Sequence, residues 1–252
     1  MKYIFFILVS FLLIQNSYGK NPVESPTFDD ILKEIIKDEK YIFDDKNINI
    51  KVPLFADNPI QVPIFVDAKA IKNAKRLIIF TDLNPIPKVI DMKLENLLPL
   101  ISLNIKVAQE TPIRALVLDE NNIWHIGSNN IKSFGGGCSA SSVSSSNTAF
   151  EKLLGKTTGN IFKTDNIYRL KASIFHPMET GLVFGNSEFY INKISIKADD
   201  KILAKINAYS SISENPRFIF ETFVESKNYK IEFSDIDGNE FSMDIKWKFY
   251  SF

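Results

Sequence analysis

The sequence predicts an all-β chain: two β-sandwich domains in tandem, led by one short helix. Short apolar and β-branched runs between turn residues fill 48–126, and a second set with strict alternation follows residue 166. Between the two sets lies a Gly/Ser-rich stretch with almost no large apolar side chain.

The chain opens with Lys2, then an apolar run over 3–14 broken only by Ser10, then the small residues Ser17 and Gly19. This order predicts a signal peptide over 1–19, cleaved after Gly19, and export to the periplasm. The run falls short of the roughly 20 apolar residues that span a bilayer. No stable membrane association is expected after cleavage; a retained anchor is the competing reading. Residues 27–40 predict one amphipathic helix, because Phe28, Ile31, Leu32, Ile35 and Ile36 share a face. Thr27 stands where a cap would, with Asp29 and Asp30 at the positive helix end. That face is expected to pack on the following domain rather than lie on a membrane.

Strands are predicted over 60–66, 76–81, 89–94, 100–107, 113–119 and 122–126, with Asn84-Pro85, Pro87 and Glu120-Asn121 marking turns. Six or seven strands in so short a stretch fit a sandwich, placing the first domain over 20–134. In the second, over 167–252, Tyr168, Leu170, Ala172 and Ile174 alternate with polar residues. Phe241, Met243, Ile245, Trp247 and Phe249 do the same after an Asp237-Gly238 turn. Residues 135–166 are read as the connector.

The 30 basic and 30 acidic residues cancel. No basic patch indicates a nucleic-acid or membrane-surface partner. One cysteine and two distant histidines supply no metal-ligand set. No nucleophile elbow or phosphate loop is present. The sequence therefore assigns no catalytic residue, no metal and no cofactor. A Cys–His pair using His125 or His176 would need a fixed geometry, and the glycines before the cysteine argue against one. Trp124 and His125 read as ordinary strand residues.

The single cysteine, Cys138, follows Gly135, Gly136 and Gly137 and precedes a serine run. Glycine loses the most entropy on ordering, so the segment is expected to be a mobile arm. A Gly/Ser chain of this length reaches about 20 Å. An ordinary thiol, with pKa near 8.5, is only a few per cent ionised at neutral pH, and Lys132 is the nearest preceding basic residue. A partner enzyme would then activate the thiol, the division of labour of a covalent group carrier. Two other readings stand beside it: a plain interdomain linker with an incidental cysteine, and a dimer joined through a Cys138 disulfide.

Three stretches in the first half carry a family resemblance: Phe55-Ala56-Asp57-Asn58-Pro59-Ile60-Gln61-Val62-Pro63-Ile64, Phe80-Thr81-Asp82-Leu83-Asn84-Pro85-Ile86-Pro87, and Gly135-Gly136-Gly137-Cys138. The second half contributes Lys171-Ala172-Ser173-Ile174-Phe175-His176-Pro177-Met178-Glu179-Thr180-Gly181 and Glu214-Asn215-Pro216. In this order they resemble the two subunits of the sulfur-oxidation carrier SoxYZ, fused into one chain like the carriers associated with quinoprotein dehydrogenases. The resemblance implies two immunoglobulin-like sandwiches. It makes Cys138 the covalent attachment site for sulfur intermediates such as thiosulfate adducts, and Gly135, Gly136 and Gly137 a swinging arm. The partners it implies are periplasmic redox or sulfur-oxidation enzymes of cytochrome or quinoprotein type. A non-catalytic adaptor for a quinoprotein dehydrogenase is the alternative. Unlike the two-subunit carrier, this chain continues past the cysteine through Ser139-Ala140 into the next domain. His176-Pro177-Met178-Glu179-Thr180-Gly181 is expected to shape the interface between the sandwiches rather than bind metal.

Overall fold

The computed structural model describes residues 20–140, 142 and 150–246. The expected signal peptide, most of the serine run, and Trp247 and Phe249 lie outside the described residues.

Helix α1 (Phe28–Ile36) is shorter than the apolar pattern implied, because Lys37 turns the chain out of helix at φ 56°. Thr27 does not cap it; its hydroxyl donates to Asp82 O at 2.5 Å and ties the helix start to the first sheet. Phe28, Leu32 and Ile36 pack on Ile78, Phe80, Leu116, Trp124 and Ile126, so the apolar face is covered by the domain that follows.

The first half continues with β1 (Tyr41–Phe43), β2 (Asn49–Lys51), β3 (Val62–Asp67), β4 (Arg76–Thr81), β5 (Lys88–Leu94), β6 (Leu100–Ile105), β7 (Thr111–Leu118) and β8 (Trp124–Ile131). Strands β4 and β7 are buried on both faces, because one face meets the opposite sheet and the other meets α1. A 3₁₀ turn (Gly137–Ser139) and one helical turn, α2 (Phe150–Leu153), come next. The second half holds β9 (Thr157–Thr164), β10 (Ile167–Ile174), β11 (Glu179–Thr180), β12 (Glu188–Phe189), β13 (Ile191–Ala198), β14 (Lys201–Ala208), β15 (Arg217–Thr222), β16 (Asn228–Asp235) and β17 (Glu240–Lys246).

Strand β9 corrects the expected connector over 135–166. It is a hairpin partner of β10, closed by Asp165-Asn166 with Asp165 at φ 54°. Its inward position at Gly159 carries no side chain because Ile245 and Met243 fill that space; a Cβ there would come within 2.8 Å of Ile245. An edge strand whose core face is partly made by a glycine leaves little alternation to read.

Both sheets pass through both halves. One runs β1-β8-β7-β4-β5-β14-β13-β16-β17 and the other β2-β3-β6-β15-β10-β9. The seam is an antiparallel ladder from Ile90↔Ala208 to Leu94↔Ala204 in the first sheet, and Ser102↔Ile219 in the second. A single apolar cluster fills the space between them, from Ile64 and Leu103 in the first half to Phe220 and Ile231 in the second. Buried Glu221 adds an ionic tie, accepting from Lys69 at 2.7 Å and Arg169 at 2.6 Å.

Candidate functional site at the junction of the halves

The chain leaves β8 through Lys132, which pairs with Phe55, and passes exposed Phe134 to reach the glycines. Gly135 and Gly136 sit at φ 95° and 89°, backbone that favours glycine. Gly136 N donates to Ala108 O at 3.1 Å and Gly137 N to Val107 O at 3.0 Å. A Cβ on Gly137 would lie 2.1 Å from Pro59 O and 2.6 Å from Val107 O. Cys138 follows in the 3₁₀ turn, and its carbonyl accepts from Thr180 Oγ1 at 2.9 Å. Farther on, Ser142 N donates to Glu179 Oε1 at 3.1 Å, and Ser142 Oγ donates to Glu214 Oε2.

The thiol is therefore not displayed on a free tether as the sequence led us to expect: Cys138 is 1% exposed. Gly135 and Gly137 serve close backbone approach, and Gly136 a left-handed turn, instead of an open arm. The three glycines let the chain lie against the carbonyls of Pro59, Val107 and Ala108, and any larger residue at Gly137 would hold it off. Cys138 nevertheless belongs to neither apolar cluster of the fold. It sits between the end of β6 and the loop that carries β11, where the two halves meet.

The charged neighbour is Lys106, just beyond β6 and 5% exposed. Its ammonium donates to Met178 O and, at 3.0 Å, to Ser210 O. Burial pulls its pKa down to about 8, against the pull of Cys138, Glu179 and Glu214. Burial pushes the Cys138 thiol up to about 11, with Lys106 acting in the opposite sense. At neutral pH the pair rests as thiol and ammonium.

His176 is fully buried, its ring tilted against Phe189 with the ring centres 4.5 Å apart. Met178 N donates to its Nδ1 at 3.2 Å, so Nε2 carries the proton toward Asp235 Oδ2 at 3.5 Å. Burial holds its pKa down to about 4 despite Asp235, so the ring is neutral. His125 lies elsewhere, 2.7 Å from Asp44 on the outer strands of the first half. Among the described residues neither histidine hydrogen-bonds to Cys138, so no Cys–His pair forms.

The structure thus gives the His176–Gly181 stretch a junction role: Met178 O receives Lys106, Glu179 receives Ser142 N, and Thr180 holds the Cys138 carbonyl. Sequence reasoning missed Lys106, Glu179, Thr180 and Glu214 as neighbours of the cysteine. Lys106 did carry a signal: it stands between Ile105 and Val107 in a run that is otherwise core.

Comparison with known proteins separates the two halves cleanly. The model for sulfur oxidation protein SoxY matches residues 32–138, ending on Cys138. The model for sulphur oxidation protein SoxZ matches 160–246, beginning within β9. Among solved structures, the sulfur carrier protein SoxY from Chlorobium limicola f thiosulfatophilum is 24% identical, covering 42% of this chain and 96% of that one, with a TM-score of 0.38. A beta-glycosidase from Bacteroides vulgatus is 7% identical over 79% of this chain and 24% of that one, with a TM-score of 0.24. A marsupial T cell receptor is 10% identical over 80% and 62%, with a TM-score of 0.25. Overlaps this loose carry no functional argument. No curated protein sequence matches the chain. With the two family models in tandem and the lone cysteine at the end of the first, the chain is a SoxY domain followed by a SoxZ domain, a fused SoxYZ protein of sulfur oxidation.

Proposed function

We propose that this protein is a covalent carrier of sulfur intermediates, that Cys138 is the attachment atom's residue, and that the cargo is of the thiosulfate type. The observation that carries this reading is the SoxY match ending on the chain's only cysteine. Loading joins the Cys138 sulfur to the outer sulfur of thiosulfate: Cys138–SH + S₂O₃²⁻ gives Cys138–S–SSO₃⁻, a proton and two electrons. A cytochrome- or quinoprotein-type enzyme takes the electrons, and the carrier itself performs no catalysis. With the thiol buried, the 135–142 segment must lift from Val107, Ala108 and Thr180 before a partner can reach the sulfur. Residues 1–19 support a periplasmic setting for these encounters.

Burial of the thiol also favours a second reading, a periplasmic adaptor for a quinoprotein dehydrogenase in which Cys138 is dispensable. Cys138→Ser separates the two. A carrier loses all partner-dependent thiosulfate turnover and the covalent mass gain seen on the intact protein. An adaptor keeps partner binding and activity, and that result would sink the carrier reading.

A further inference from the structure

Lys106 and Cys138 are held by one clamp. Val107 O, next to Lys106, accepts from Gly137 N. Met178 O accepts from the ammonium, and the hydroxyl of Thr180, two residues later, donates to the Cys138 carbonyl. An ammonium has three N–H donors. Two go to Met178 O and Ser210 O, and the third has no hydrogen-bond partner among the described residues. A cation so deeply buried is costly unless an anion compensates it. The charged or titratable groups facing it are Cys138 from the 3₁₀ turn, Glu179 from β11, Glu214 from the loop before β15, and neutral His176 from the loop after β10. Both glutamates accept from Ser142. On the sulfur itself, Lys106 is the charge that acts.

We propose that Lys106 is an anion-binding site for sulfur cargo: its spare N–H takes the charged end of an adduct on Cys138, a terminal sulfonate or persulfide, and holds the loaded segment at the junction more firmly than a neutral adduct. The bare thiol is uncharged there, so the interaction exists only after loading. A charge-assisted hydrogen bond from a buried ammonium is among the stronger polar contacts a protein makes. The inference rests on the carrier reading only for the identity of the cargo.

The test needs no partner enzyme, so its failure is distinct from failure of the carrier reading. Methanethiosulfonate reagents convert Cys138–SH to mixed disulfides. The new S–S bond forms at Cys138, methanesulfinate leaves and the thiol proton is released. Methyl, 2-sulfonatoethyl and 2-(trimethylammonio)ethyl adducts give neutral, anionic and cationic ends. Labelling is driven to completion and checked by intact mass. The readout is the rate of release by dithiothreitol, divided into the rate for the same adduct in urea. At pH 7 we expect the sulfonate to be protected about tenfold more than the methyl adduct, and the cationic adduct no more than the methyl. In Lys106→Met the sulfonate advantage disappears. Should that variant fail to fold, the wild-type protein decides the matter. The sulfonate advantage must fade as pH rises beyond 8, where Lys106 loses its proton, while the methyl adduct stays level. Equal protection of sulfonate and methyl adducts in the wild type overturns the proposal, as does a sulfonate advantage that survives in folded Lys106→Met.

Discussion

Thr180→Val is the most direct probe of how Cys138 is kept closed. The substitution preserves shape and removes the hydroxyl that donates to Cys138 O at 2.9 Å. A neutral hydrogen bond contributes about 0.5–1.5 kcal/mol net, and stranding a buried carbonyl costs about 1–3 kcal/mol. Closed Thr180→Val should therefore be weaker by about 1–2 kcal/mol relative to open, which raises the open population by a factor of about 5–30. The closed thiol, pushed up to about 11, is only ~0.1% ionised at pH 8, so alkylation at that pH reports the open population. The assay is the second-order rate of iodoacetamide reaction with Cys138 at pH 8, read by intact mass, with a thermal melt to show that the fold survives. Thr180→Ser should restore the slow rate. An unchanged rate in folded Thr180→Val would refute the clamp, and so would a wild-type rate equal to that of an unstructured cysteine peptide.

Gly137→Ala should prevent closure, because its Cβ would meet two backbone oxygens at 2.1 and 2.6 Å. Cys138 should then alkylate at close to the peptide rate. Gly136→Ala meets nothing within 4 Å; its φ of 89° alone costs on the order of 1–3 kcal/mol, so its rate should rise less than that of Gly137→Ala. His176 is a group whose folded pKa is depressed, from 6.5 to about 4, so folding excludes its proton. Its contribution is complete above pH 6.5 and is lost as pH falls toward 4, about 3 kcal/mol in all. Urea midpoints across that window should fall steeply for the wild type and less for His176→Leu. Burial raises the Glu221 pKa, but hydrogen bonds from Lys69 and Arg169 outweigh it and hold the carboxylate below its usual range. Glu221→Gln should cost about 1–2 kcal/mol in urea unfolding, discounted because both cations are part-exposed, and the gap from wild type should close as pH falls through the carboxylate range.

The elements with strong periodicity were legible in the sequence: the Phe28–Ile36 face, the runs of β3 to β8, and the alternation of β10 and β17. The edge strand β9 was not, since Gly159 interrupts its inner face. The seam was hidden for another reason. Pairing of β5 with β14 and β6 with β15 joins strands that look like any other half-buried strand, and nothing in either run names its neighbour. At the cysteine, three successive glycines carried two opposite meanings, freedom to move and licence for close approach. Only the carbonyls of Pro59, Val107 and Ala108 opposite them decide between these, and they come from distant parts of the chain. Lys106 lies 32 residues before Cys138, farther than Lys132, and only the fold brings it to the junction.

Because both sheets are stitched across the middle, the body has no hinge there to swing cargo outward. Any excursion of the sulfur has to come from local release of the contacts at Val107, Ala108 and Thr180, not from a movement of one half against the other.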